Sequence, residues 1–93
     1  MQKELGQNRA RKLRQRMVEL KAADVLADIS HLPPPRLHEL TGQQKGQFSV
    51  DVAHPYRLLF IPADDPVPTK DDGGIDLKAV ESIEIVDIVD THG

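Results

Sequence analysis

The 93-residue chain has no cysteine. It can therefore form no disulfide and offers no thiolate to a metal. No apolar run approaches the ~20 residues that a membrane span requires. The N-terminus shows nothing of a signal peptide, so the expected location is cytoplasmic. Four histidines (His31, His38, His54 and His92) are spread along the chain without a His-x-His or His-x₃-His spacing, which gives no metal-binding pattern. Internal repeats are also missing. What remains is one domain over residues 1–93, small enough that folding buries roughly two-thirds of the unfolded surface and leaves a modest stability.

The formal net charge of −3 conceals an asymmetry. Lys3, Arg9, Arg11, Lys12, Arg14, Arg16 and Lys21 stand against Glu4 and Glu19, which leaves residues 1–21 at +5 and residues 22–93 at −8. A basic segment of this kind suits nucleic acid or an acidic protein. Phosphate would be repelled by the remainder except where local cations dominate. The balance argues against a protein that coats nucleic acid generally.

From Asn8 to Lys21 there is neither glycine nor proline, and Ala10, Leu13, Met17 and Leu20 recur at three- and four-residue spacing. That pattern predicts an amphipathic helix with Asn8 as its N-cap and its arginines as a solvated face. Ala22 to Ser30 continues helically through Val25, Leu26 and Ile29, with Asp24 opening a second helix after a slight break. Two helices, or one kinked helix, are thus expected to cover a sheet. Pro33-Pro34-Pro35 ends the helical layer, because proline lacks the N–H and pushes its predecessor toward extended geometry.

Beyond the prolines the period becomes two. Phe48, Val50 and Val52 alternate with Gln47, Ser49 and Asp51, as in a half-buried antiparallel strand, and Thr41 to Gly46 and Ala53-His54-Pro55 supply the turns on either side. Tyr56 to Ile61 forms the next strand, apolar apart from Arg57. An arginine there costs several kcal/mol unless it is paired or opens onto a site. Pro62 to Gly74, rich in proline, glycine and aspartate, reads as a mobile surface loop without structure of its own. Ile75 to Glu81 fits a helical turn. Ser82 to Asp90 is the last strand, and its alternation slips between Ile85 and Val86, which means a bulge or burial on both faces.

Pairing of these strands brings chemistry-bearing side chains together. Cleavage of RNA by its own 2′-hydroxyl needs a base, an acid for the leaving oxygen, and cations on the developing phosphorane charge. His38 and His92 can transfer protons near neutral pH, Arg57 and Lys45 can stabilise charge, and Asp90 can orient a histidine. The plainer reading of each is a strand histidine between Leu37 and Leu40, a terminal histidine and a solvated turn lysine.

Four segments in order carry this further: Pro35-Arg36-Leu37-His38-Glu39-Leu40-Thr41-Gly42, Lys45-Gly46-Gln47-Phe48-Ser49-Val50, Tyr56-Arg57-Leu58-Leu59-Phe60 and Val86-Asp87-Ile88-Val89-Asp90-Thr91-His92. Together they resemble the HigB branch of the RelE/ParE toxin superfamily over nearly the whole chain. The resemblance implies an α+β fold, two N-terminal helices on a small twisted antiparallel sheet of about four strands. Relatives open with a short strand, and this chain begins inside that region, so the first edge strand is expected to be lacking. It implies a toxin of a bacterial type II toxin–antitoxin pair, an mRNA interferase that cuts messenger RNA on the ribosome with neither metal nor other cofactor. The implied partners are a co-encoded HigA-like helix-turn-helix antitoxin, the ribosome and mRNA, with DNA met only through the antitoxin complex and no membrane.

By position the resemblance places catalysis on His38, Arg57, Asp90 and His92, and RNA binding on Arg36, Lys45 and Thr91. Thr91 stands where the family has a tyrosine, and threonine neither stacks on a base nor serves as a comparable acid. Residues 64–93 sum to −7, whereas active relatives are generally basic. Three readings stay open: the ribosome-dependent endoribonuclease, a binding module that pairs with an antitoxin but cleaves nothing, and a ParE-like gyrase inhibitor. Fold alone does not separate them.

Overall fold

The change from helical to two-residue periodicity at the three prolines divides the chain into a helical layer and a sheet. The computed structural model describes residues 2–44, 46–53 and 55–90. In chain order they form α1 (Gln2–Ala22), a 3-10 turn (Leu26–Asp28), β1 (His38–Glu39), a second 3-10 turn (Gly42–Gln44), β2 (Phe48–Asp51), β3 (Tyr56–Pro62) and β4 (Ile83–Asp90). One helix packs on a four-stranded antiparallel meander of order β1-β2-β3-β4, an α+β fold. Among the described residues no helix is long and apolar enough to cross a membrane.

The helix starts at Gln2, well before Asn8. Nothing between them stops it, since Gly6 costs only about 1 kcal/mol in a helix interior. Asn8 is then an interior residue whose Oδ1 accepts a hydrogen bond from Arg11 Nη2 at 3.0 Å. At 1.5 Å per residue α1 runs about 31 Å. Its sheet-facing line is also rotated from the expected apolar stripe. Leu13 and Leu20 pack against the core, but Arg9 and Arg16 complete the line and Met17 is exposed. Arg9 lies over the Tyr56 ring, 4.3 Å from its centroid, and Arg16 is 5% exposed with its Nε donating to the Asp51 carbonyl at 2.7 Å. Two cations expected on a solvated face are thus structural.

The second helix does not form; a single 3-10 turn takes its place. Asp28 Oδ2 accepts hydrogen bonds from the N–H groups of Asp24 and Val25, which a helix would leave to its own ladder. The N–H groups of Leu26 and Ala27 go to the carbonyls of Val80 and Leu77, both at 2.9 Å. Long-range pairing therefore outcompetes local helix here, and it drives Leu26 and Ile29 into the core.

Register fixes the two faces of the sheet, because residues directly opposite in an antiparallel pair share a face. Phe48 pairs with Phe60 and Val50 with Leu58; Tyr56, Leu58 and Phe60 in turn oppose Asp90, Ile88 and Ile85. This is the face that α1 covers. Phe48 and Phe60 are fully buried there, stacked with centroids 5.9 Å apart, beside Val50, Leu58 and Val80. The other face carries His38, Ser49, Leu59 and Asp87 in one row and Asp51, Arg57 and Val89 in the next. In β4 the slip in alternation is a bulge. Leu59 opposes Asp87 and Phe60 opposes Ile85, so Val86 is the extra residue, and the strand is not buried on both faces.

The segment after β3, expected to be mobile and without structure, is tied down. Thr69 bridges to Ile75, and the turn between them closes through Lys70 N–H to the Gly74 carbonyl, with Gly73 at φ +88° where a side chain would be strained. At its neck the Asp64 carboxylate accepts hydrogen bonds from the N–H groups of Glu81 and Ser82 and from Ser82 Oγ. Val80, just before this clamp, is 1% exposed. Residues 77–79 form a turn, in the place where a helical turn was expected.

Hydrogen bonds from the Glu81 and then the Ser82 backbone hold the Asp64 carboxyl below its ordinary value. A carboxyl depressed in the folded state stabilises above its unfolded pKa, and that contribution is lost as pH falls through the folded value. Asp64→Ala should therefore lower the urea midpoint by an amount that is constant from neutral pH down to the ordinary aspartate range. The gap to the unsubstituted chain should close below that range, a trend that urea titrations at several pH values would read.

Candidate functional site

Asp51 is the last residue of β2, directly opposite Arg57 of β3. The tight turn closed by Tyr56 N–H to the Ala53 carbonyl sets that register. Arg36 reaches the same carboxylate from the loop before β1, where it sits at φ +47°, a left-handed conformation uncommon for a side-chain-bearing residue. Its N–H donates to the Leu32 carbonyl, and Leu37 N–H to that of Ser30, so the bend after the prolines is held on both sides.

Arg36 Nε lies 2.8 Å from Asp51 Oδ2 and Arg57 Nε 3.2 Å from Asp51 Oδ1. The Arg57 contact is Coulombic, because its Nε–H has no hydrogen-bond acceptor. Arg57 Nη2 donates to the Arg36 carbonyl at 3.2 Å. The three side chains carry a net charge of +1, with Arg57 18% and Arg36 52% exposed. The arginine inside an otherwise apolar strand is thus paired, and its pair opens to solvent on the Arg36 side.

His38 is exposed on this same face, opposite Ser49. Through its bond to the Arg36 carbonyl, the Arg57 guanidinium meets the chain two residues before His38. His38, Arg36 and Arg57 are therefore brought together. Between them Ser49 is 1% exposed, and its Oγ has no hydrogen-bond partner among the described residues. A buried hydroxyl without a partner costs about 1–3 kcal/mol, and this one lies directly opposite His38 in the sheet.

Asp90 is placed differently. It stands opposite Tyr56 rather than Arg57, so the register assigns it to the face that α1 covers. Lys45, Thr91 and His92 lie outside the described residues. Among the described residues no group of three His, Cys, Asp or Glu side chains is arranged to hold a metal ion. The cluster, at net charge +1, offers two guanidinium groups to an anion on the face that also carries His38.

Two participants were not singled out from sequence. Asp51 was read only as a polar strand position, yet the three-residue turn at Ala53-His54-Pro55 already implies that Asp51 faces Arg57. Ser49 shares the parity of Asp51 and so its face, but its burial depends on neighbours that periodicity does not reveal. Comparison with protein-family models, with curated proteins and with solved structures finds no match to this chain.

Removing the shared carboxylate leaves Arg57 largely buried and unpaired. Asp51→Ala should lower stability by about 1–3 kcal/mol in urea unfolding, and adding Arg57→Met should recover most of that loss. Ser49→Ala removes a hydroxyl that has no hydrogen-bond partner among the described residues. It should leave the unfolding free energy from urea titration unchanged or raise it by up to about 1 kcal/mol, and a clear loss of stability would show that Ser49 Oγ has a partner in solution.

Proposed function

We propose that the chain is the toxin of a bacterial type II toxin–antitoxin pair of the HigB/RelE kind, an endoribonuclease that cuts mRNA on the ribosome. The observation that carries this reading is the placing of His38 and Arg57 on one sheet face, two strands apart, with Arg36 of the preceding loop linked to Arg57 through its carbonyl and through Asp51. The order of elements, a helix followed by a four-stranded meander, agrees with the order of the four sequence segments that resemble the family.

In this reading the scissile phosphate lies over the Arg36–Asp51–Arg57 group. Asp51 holds the guanidinium groups in place before substrate arrives, so that little reorganisation is needed when charge develops on the phosphorane. His38 takes or gives the proton at one oxygen, and His92 serves the other. Lys45 and Thr91 contact the RNA, and Asp90 orients the terminal histidine. The protein partner is a HigA-like antitoxin.

A second reading, a binding module that keeps the antitoxin contact without cleavage, draws support from the register of Asp90 on the opposite face to Arg57. One experiment separates the two. The chain is expressed inducibly in a bacterial host, with growth and transcript 5′ ends followed, beside Arg57→Ala and His92→Ala versions. The toxin reading expects growth arrest with new in-frame mRNA ends that both substitutions abolish. Normal growth with soluble, folded protein supports the module, and arrest without new ends points to a gyrase-type target.

A further inference from the structure

In an antiparallel pair, residues that exchange both backbone hydrogen bonds alternate with residues that exchange none. Leu40 N–H donates to the Gln47 carbonyl, so Leu40 with Gln47 and, two residues back along β1, His38 with Ser49 are bonded pairs. One more step of the same register would pair Arg36 with Asp51. That pair does not form. The Arg36 N–H donates instead to the Leu32 carbonyl at 3.1 Å, and the Asp51 N–H to the Pro35 carbonyl at 2.7 Å. The two carbonyls are taken by arginine side chains, that of Asp51 by Arg16 Nε at 2.7 Å and that of Arg36 by Arg57 Nη2 at 3.2 Å. All four backbone groups that the strands would have paired with one another have found other partners.

The exchange leaves Arg36 strained, at φ +47°, where a continued strand would be extended. What sustains the bend is that the Asp51 carbonyl is satisfied without the strand. Arg16 supplies a charged donor from within α1, with a side chain only 6% exposed. Its Nη1 is held by both carboxylate oxygens of Glu19, at 3.0 and 3.1 Å, so the donor is fixed in place. Without it the Asp51 carbonyl would need another hydrogen bond, and the donor that the register brings to it is the Arg36 N–H.

We infer that Arg16 is a positioning residue for the two-arginine cluster on the far face of the sheet. By satisfying the Asp51 carbonyl it keeps β1 and β2 from pairing at Arg36, and the Arg36 carbonyl is then free to hold Arg57 Nη2. When Arg16 is lost, the Arg36 and Asp51 backbones pair with each other and Arg57 loses its bond to the Arg36 carbonyl. Arg36 stays opposite Asp51, so the cluster keeps its charge and loses the orientation of Arg57. The inference rests on the reading of this cluster as an anion site and not on RNA cleavage.

The test follows backbone and arginine Nε–H NMR signals, with inorganic phosphate as the probe. Glutamine carries Nε2 on Cδ as arginine carries Nε, so Arg16→Gln keeps the donor and removes the charge, whereas Arg16→Met removes both. In the unsubstituted protein Arg36 should show the strong intraresidue N–H to Hα NOE of a positive φ, and phosphate should shift the Arg36 and Arg57 Nε–H signals. Arg16→Met should weaken that NOE to the level of an extended residue and lower phosphate affinity about fivefold, while Arg16→Gln should keep the NOE and bind phosphate within about twofold of the unsubstituted protein. A folded Arg16→Met protein with NOE and affinity unchanged, or Arg16→Gln behaving as Arg16→Met does, would overturn the inference. So would the absence, in the unsubstituted protein, of a through-hydrogen-bond coupling between Arg16 Nε and the Asp51 carbonyl carbon, a measurement that requires no variant to fold. If phosphate leaves the Arg36 and Arg57 signals of the unsubstituted protein unmoved, it is the anion-site reading that fails, and the Arg36 NOE across the three proteins still decides whether Arg16 holds the bend.

Discussion

Asp51 is where the layers of this small protein meet. Its backbone N–H donates to the Pro35 carbonyl, its own carbonyl receives Arg16 from α1, and its carboxylate faces both Arg36 and Arg57. Helix, proline bend and central strand are therefore referred to one residue at the end of β2. The arrangement also settles the cost of placing Arg57 inside an apolar strand, since a buried cation is tolerable only with a partner.

Much of the sheet could be read in advance. The alternation through Phe48, Val50 and Val52, the turns containing Gly46 and Pro55, and the slip near Val86 each have a local cause, and each appears in the structure as a strand, a turn and a bulge. The helical layer was less legible. Whether Ala22 to Ser30 becomes a helix depends on Leu77 and Val80, some fifty residues away, whose carbonyls claim the N–H groups of Ala27 and Leu26. No window of sequence contains that competition. The loop after β3 differs from expectation for a similar reason, because its composition suggests mobility whereas Asp64 anchors it through hydrogen bonds to Glu81 and Ser82.

For the site, the parity of the strands put Arg57 and His38 within one neighbourhood, and the same parity sends Asp90 to the other face. Charge was harder to interpret. Of the basic residues in α1, Arg9 is spent on the Tyr56 ring and Arg16 on Asp51 and Glu19, so the helix offers fewer free cations than a count suggests. Arg14 and Lys21 remain at the surface, beside the exposed Met17 and Val18.

The clamp at Asp64 has an architectural consequence of its own. It joins the two ends of the excursion between β3 and β4 at their neck, so β4 enters the sheet from a closed neck. The entropy of closing a loop grows slowly with its length, and because Ile75 and Leu77 pack on the core and the Leu77 carbonyl accepts from Ala27 N–H, it is the tip at residues 70–74 whose length can change at low cost to the rest. An inserted segment or a grafted epitope would be carried there as a pendant, with the register of β3 against β4 left as it is.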